Sequence, residues 1–429
     1  MSDGVKKTVG ELRKEAVATH DERSEKIFNW AKEHGGVHHR VSRYKTRATP
    51  ENVQKLIDLI SGALEASVRP DASILISVMA YLQKYDPTNT DEAGRDTGGF
   101  SLALSEIDVA LTHLDDSQEK ALRYLAYRYK SKMYPDESRV VDFPTILYVE
   151  SALACNLMCT MCYQSDKKLV EVIRSTEKKV MDWDLYQKVI DEGAENGLCA
   201  VVFAGRGEPT LNKNFTQMLR YADDKGVLDI KINTNATRLT EQMVRDWLSI
   251  GAPLTVVFSV DAADKEGFEA IRLGANFDEV IANIKMFDRI RSEEFPDSPV
   301  RTRISMTLFQ DSQDPEAARN LWGSLVDEFT AKNARGEQSG SIYQTGIGGQ
   351  PKNLNPGKKC RVLFDRLYIW CDGKVNPCED DYLSTLQLGN AYTHTLKSLW
   401  GSKEMNTMRI RHMTGCKNKI SPCNGCNGY

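Results

Sequence analysis

Apolar residues recur at helical spacing through the first third of the chain and then change period. Val53, Leu56, Ile57, Ile60 and Leu64 fall on one face of a helix over 51–64, behind the start signal Thr49-Pro50. Stretches 73–85 and 117–133 carry similar patterns. Between them, 86–99 is rich in Pro, Asn, Thr, Asp and Gly and predicts a loop. From residue 145 onward, short apolar runs alternate with amphipathic ones. Strands are predicted over 146–149, 199–204, 228–232, 254–260 and 303–308, and helices over 181–197, 215–225, 240–250, 277–290 and 315–329. This alternation implies a parallel sheet with right-handed crossovers. Five or six such units are too few for a closed eight-unit barrel, so an open, partial barrel is expected.

The texture shifts again after 335. Residues 336–357 are rich in Gly, Asn, Ser and Pro and predict an exposed linker or a loop over the barrel. Asp372-Gly373 between apolar runs is a hairpin signal, and a helix is predicted over 395–412. The expected organisation is an α/β protein with a helical region over 1–140, a partial barrel over 141–335 and a Cys-rich extension over 336–429.

Composition narrows the function classes. With 429 residues, 41% hydrophobic and 27% charged, the chain is globular rather than disordered. A net charge of −4 supplies no basic field for nucleic acid or an anionic membrane. No apolar run approaches the roughly 20 residues of a spanning helix, and Met1 to Lys7 is not followed by a secretory apolar core. A cytoplasmic location is expected. Four of the seven histidines, His20, His34, His38 and His39, fall in a locally basic stretch before residue 50. They read as a solvated polar segment, since no Cys or carboxylate constellation completes a metal site there.

The ten cysteines change the picture. In a reducing compartment, clustered thiols point to metal rather than disulfides. Cys155, Cys159 and Cys162 form a C-x3-C-x2-C run directly after the first predicted barrel strand. Three thiolates on one loop can hold three irons of a [4Fe–4S] cube and leave the fourth iron open to a small molecule. A structural zinc site normally closes with four ligands, and no fourth Cys or His stands nearby in sequence. Cys199 begins its strand, at the far end from a barrel's active face, and reads as a buried apolar residue.

This run resembles the signature of the radical S-adenosylmethionine (radical SAM) superfamily, whose loop follows the first strand of a partial (βα)6 barrel. Gly205-Arg206-Gly207-Glu208-Pro209 after the second strand looks like that family's Gly-Gly-Glu-Pro motif, which contacts the methionyl amine of SAM. Asn233 and Asn235 after the third strand, and Ser259 and Asp261 at the end of the fourth, stand where family members bind SAM. Two departures are visible. Met161 occupies the usual aromatic position, with Tyr163 adjacent, and Arg206 replaces the first Gly of the motif. Tyr163 is therefore assigned to SAM, and Arg206 to a substrate carboxylate or phosphate. The resemblance implies reductive cleavage of SAM to a 5′-deoxyadenosyl radical that abstracts hydrogen from a substrate C–H bond.

The tail, with Cys360, Cys371, Cys378, Cys416, Cys423 and Cys426, looks like the SPASM/twitch extension of the same superfamily. That resemblance implies an auxiliary [4Fe–4S] cluster held by Cys360, Cys378, Cys423 and Cys426. Cys371 and Cys416 stay open as additional ligands, buried thiols or a hydrogen donor for epimerisation. The expected substrate is a small molecule, such as a sugar or nucleotide-linked compound, undergoing oxidation or epimerisation. A reducing partner such as flavodoxin or ferredoxin is implied. The alternatives are a ribosomal-peptide maturase, or a non-catalytic iron–sulfur or zinc scaffold.

Overall fold

A computed structural model describes residues 39–40, 46–86, 99–308, 312–333 and 359–426. His20, His34, His38 and the 336–357 segment lie outside them, as does most of the 86–99 loop.

Among the described residues, the first elements are a two-residue strand, β1 (His39–Arg40), and four helices: α1 (Pro50–Ala66), α2 (Ala72–Leu82), α3 (Leu104–Asp116) and α4 (Gln118–Glu137). Thr49 caps α1 by accepting from the Asn52 amide, and Ser117 caps α4. The 73–85 and 117–133 patterns fall on α2 and α4, whereas α3 was not foreseen. Its stripe of Leu104, Ile107 and Leu111 is interrupted by Asp108 and Asp115, which hides the period.

The next segment lays down six parallel strands: β2 (Ile146–Val149), β3 (Ala200–Phe203), β4 (Asp229–Thr234), β5 (Leu254–Ser259), β6 (Arg301–Leu308) and β7 (Glu328–Asn333). Helices α5 (Lys167–Ser175) and α6 (Trp183–Glu195) connect β2 to β3. Helices α7 (Phe215–Asp224), α8 (Glu241–Leu248), α9 (Lys265–Ile271), α10 (Phe277–Glu294) and α11 (Pro315–Trp322) follow the later strands. Leu147, Val149, Val201, Phe203, Ile230, Ile232, Val256, Phe258, Ile304 and Met306 share one apolar core with residues of α6, α7, α8 and α10. The crossovers therefore cover one face. A parallel sheet buried on both faces would be apolar throughout. Here the alternate positions are Tyr148, Lys231, Asn233, Thr255, Arg303 and Ser305, so the inner face is largely polar.

The helix expected over 315–329 stops at Trp322. Gly323 caps it, and Phe329-Thr330-Ala331 joins β7, which pairs in parallel with β6. That correction supplies the sixth strand.

The N-terminal helices close the lower part of the inner face. Ile146, Ala200, Val202 and Leu228 belong to the same apolar cluster as α1 to α4. His113 of α3 bonds the Leu228 carbonyl at 2.8 Å, and Arg301 Nη1 donates to the Ser105 carbonyl at 2.8 Å.

The tail adds β8 (Arg366–Ile369), β9 (Lys374–Asn376) and β10 (Gly389–Asn390). It joins the same sheet: β8 runs parallel to β2, with Ile146 opposite Arg366 and Val149 opposite Ile369. The full order is β1–β7–β6–β5–β4–β3–β2–β8–β9–β10. The hairpin turns at Gly373, where φ is +84° and a side chain would meet Asn390 and Tyr392. The helix expected over 395–412 is two, α12 (Leu396–Trp400) and α13 (Lys403–Met413), because Gly401 ends the first and Ser402 caps the second. No helix among the described residues is long and apolar enough to cross a membrane.

Candidate active site and auxiliary cysteine recess

The loop bearing Cys155, Cys159 and Cys162 leaves the C-terminal end of β2, where barrel chemistry is done. It is strapped to the end of α9 and the turn beyond it: the Met158 amide bonds Leu273 O and the Thr160 amide bonds Ile271 O, both at 2.9 Å. Backbone amides approach two of the sulfurs, Leu157 N to Cys155 Sγ at 3.4 Å and Gln164 N to Cys162 Sγ at 3.5 Å. Arg272 Nη1 lies 3.9 Å from Cys159 Sγ. Burial pushes the thiols up, Cys155 to about 11 and Cys162 to about 12. Left alone they stay protonated; a bound cation would hold them as thiolates. Three thiols on one loop, two of them approached by amide donors, fit a cluster with one open iron.

The Gly205–Pro209 turn braces this loop. A Cβ on Gly207 would lie 2.4 Å from the carbonyl oxygens of Ala152 and Ala154, so only glycine permits the crossing. The Glu208 amide donates to Ala154 O at 2.9 Å. Gln164 Nε2 ties both strands together through Leu153 O and Arg206 O. The Glu208 carboxylate accepts from Thr234 Oγ1 at 2.7 Å, Asn235 N at 2.8 Å and Thr210 Oγ1 at 2.7 Å. Burial raises its protonation point against the pull of those bonds. Pro209 opens a short 3-10 turn for which Glu208 is the cap. Tyr163 donates its hydroxyl to Gly205 O at 3.2 Å, and its ring stacks on Tyr382 of the tail, 5.1 Å between centroids.

Arg206 is not placed as expected. It is 3% exposed, and its guanidinium pairs with Glu150 through Nε at 2.8 Å and Nη2 at 2.7 Å. Nη1 donates to Tyr382 O, and the group lies 4.5 Å above the Trp370 ring. The guanidinium is committed to the protein rather than open to substrate. Glu150 gave no sequence signal beyond a carboxylate ending an apolar strand.

At the end of β4, Asn233 Oδ1 is buried with no hydrogen-bond partner among the described residues, as a ligand-facing acceptor would be. Asn235 instead steadies the cysteine loop: its Nδ2 donates to Asn156 Oδ1 at 3.0 Å, and its Oδ1 accepts from Thr237. Ser259 ends β5 beside Ser305 of β6. Asp261 is fully buried and paired with Arg272 at 2.6 Å, with Thr307 N bonding its other oxygen at 2.7 Å. Arg272, which bridges Asp261 and Cys159, was not singled out from the sequence; it sits just past α9, itself unforeseen.

In the tail, Cys360, Cys378, Cys423 and Cys426 line one recess with Asp381, His412 and Lys417. Burial pushes Cys360 to about 11 and Cys423 to about 12. Among the described residues, no three His, Cys, Asp or Glu side chains converge to hold a single metal ion. Four thiols around one recess match the ligand count of a [4Fe–4S] cube. His412 accepts from the Cys360 amide at 3.2 Å. Cys371 and Cys416 are not among the lining residues. Cys371 is buried, with its sulfur 3.4 Å from Lys178 O in the segment before α6. Cys416 follows α13, with its sulfur 3.7 Å from Thr414 O. Cys199 is half-buried rather than buried, at the start of β3 against the N-terminal helices.

Residues 149–314 match the family model of the radical SAM superfamily, and residues 360–427 match that of the iron–sulfur cluster-binding domain SPASM. The tungsten-containing aldehyde ferredoxin oxidoreductase cofactor-modifying protein of Pyrococcus furiosus is 26% identical over 324 residues, 65% of this chain and 86% of that one. The PqqA peptide cyclase of Bradyrhizobium diazoefficiens is 32% identical over 108 residues, 25% of this chain and 26% of its own length. The crystal structure of BtrN in complex with AdoMet and 2-DOIA is similar at a TM-score of 0.41 and 17% identity, over 66% of this chain and 93% of that one.

Proposed function

This chain belongs to the radical SAM superfamily and ends in a SPASM iron–sulfur domain, and on that premise we propose that it oxidises a small molecule at an unactivated C–H bond. The observation that carries the reading is the cysteine loop at the end of β2, locked by the Gly207 crossing and joined through β8 to the four-thiol recess. Cys155, Cys159 and Cys162 would hold a [4Fe–4S] cluster, which when bound would supply the one-electron reductive cleavage of SAM.

The chain's own residues position and shield. Glu208 and Asn233 stand at adjacent strand ends, where SAM's polar groups would be bound; Tyr163, Gly205, Gly207, Pro209, Asn235, Ser259 and Asp261 form or brace that rim. Arg272 holds positive charge beside Cys159. The N-terminal helices exclude water from the lower inner face. Oxidation is favoured over epimerisation because the Cys371 sulfur is buried and engaged with the Lys178 carbonyl at 3.4 Å. The small-molecule substrate follows the cofactor-modifying relative, which matches over most of its length. A peptide substrate is the second reading, supported by the partial match to a peptide cyclase. The reductant would be a cytoplasmic flavodoxin or ferredoxin.

The test is anaerobic reconstitution with iron and sulfide, followed by SAM and dithionite. 5′-Deoxyadenosine and methionine are the expected products; their absence from fully iron-loaded protein would sink the reading.

A further inference from the structure

The inner face of the sheet carries polar groups that the other described residues leave unengaged. Register sets Lys231 of β4 beside Val202 of β3, Val202 beside Tyr148 of β2, and Tyr148 beside Tyr368 of β8. Neighbours in such a row share a face. Two residues further along β4, Asn233 shares its row with Val257 and Arg303. The Asn233 Oδ1 and the Tyr368 hydroxyl are buried with no hydrogen-bond partner among the described residues. Lys231, half-buried, has no hydrogen bond or ion pair among them either.

The charges facing Lys231 are Arg303 of β6, Lys332 of β7, Asp229 of its own strand and Glu379 of the tail. Arg303 is bound by Glu328 at 2.6 Å, and Asp229 lies 4.0 Å from Arg128. Burial first, and then Arg303 and Lys332, push the Lys231 ammonium down to about 7. A half-buried ammonium without an anion is costly, and an anion beside it relieves that cost.

We propose that Lys231 seats an oxyanion of the substrate, a carboxylate or a phosphate, on the inner face below Asn233. This deepens the radical SAM reading and rests on it. Lys231 lies three residues, about 10 Å along the strand, before Thr234, which bonds Glu208 at the cluster-side end of β4. The anion is thus held at the end of the substrate remote from the bond being broken. The protonated amine does the binding, so anion affinity falls as pH rises through the Lys231 titration.

Trace acetylation of the reconstituted full-length protein, read by mass spectrometry, tests the seat without turnover. The probes are inorganic phosphate and tricarballylate, with exposed Lys403 as internal control. At ten times the probe's dissociation constant, Lys231 labelling should slow by about tenfold, with Lys403 unchanged. Protection by phosphate alone assigns a phosphate, by tricarballylate alone a carboxylate, and by both the shared oxyanion chemistry. Protection by neither overturns the proposal. Lys231→Met should abolish the anion-induced rise in Tm; a rise that persists in that variant also overturns it. Failure of the wild-type protein to cleave SAM would instead sink the reading of the reaction. An unprotected Lys231 with SAM cleavage intact sinks the oxyanion seat alone.

Discussion

Glu150 and Arg206 form a two-point ion pair at the junction of β2, β3 and the tail, and both side chains are almost wholly buried. The same carboxylate accepts from the Arg206 amide at 2.9 Å and the Cys371 amide at 3.3 Å. Removing one partner of a buried pair strands the other charge and typically costs about 3–5 kcal/mol. Glu150→Gln and Arg206→Met should each lower stability by that order in denaturant unfolding. The double variant should lose clearly less than the sum; strict additivity would show that the pair is not coupled.

Gly207→Ala should prevent the first cluster from assembling, because the added methyl meets two backbone carbonyls that cannot swing away. Reconstituted protein should lose about four irons per chain and all 5′-deoxyadenosine formation, while the tail cluster remains. Full iron content in this variant would contradict the close crossing.

Iron counting also separates the six tail thiols. A Cys155/Cys159/Cys162→Ala triple variant should retain about four irons, held in the recess. Cys378→Ala added to it should remove them, whereas Cys371→Ser and Cys416→Ser should leave them in place. Iron loss on replacing Cys416 would mean that the ligand set is drawn wrongly.

The His113 ring bonds Leu228 O and is 3% exposed. Burial pushes its pKa down to about 4, against 6.5 for a free ring. Between those values the unfolded chain binds the proton and the folded one does not. The stability is complete above pH 6.5 and declines as pH falls towards 4. The shift corresponds to about 3 kcal/mol at most. Protection factors in α3, corrected for the intrinsic pH dependence of amide exchange, should therefore fall between pH 7 and pH 5, and His113→Gln should flatten that dependence. An unchanged pH dependence in the variant would place the titrating group elsewhere.

Much of this architecture was legible because its signals are local. Strand 146–149 is read from one apolar run, and the C-x3-C-x2-C loop from spacing alone. Cys423-x2-Cys426 carries a ligand-pair spacing of its own, but Cys360 and Cys378 were legible only through family resemblance, since nothing in their spacing distinguishes them from Cys371 or Cys416. The missed elements are those set by long-range partners. Strand β7 looked like the end of a helix until β6 stood beside it to pair. Arg206 looked like a substrate ligand because its partner, Glu150, is 56 residues away in sequence and carries no motif. Lys231 was hidden for the opposite reason: a lone lysine in a strand reads as surface, and only the register shows that it faces inward.

The pairing of β8 with β2 makes the tail an integral part of the fold. Cutting the chain before residue 359 would strip β2 of the neighbour that satisfies its outer row of backbone amides and carbonyls. The result would be a bare, apolar strand margin of the kind that recruits other chains into aggregates. Shortened versions lacking the tail should therefore be insoluble rather than merely missing one cluster, and swapping tails between relatives requires matching the strand as well as the cysteines.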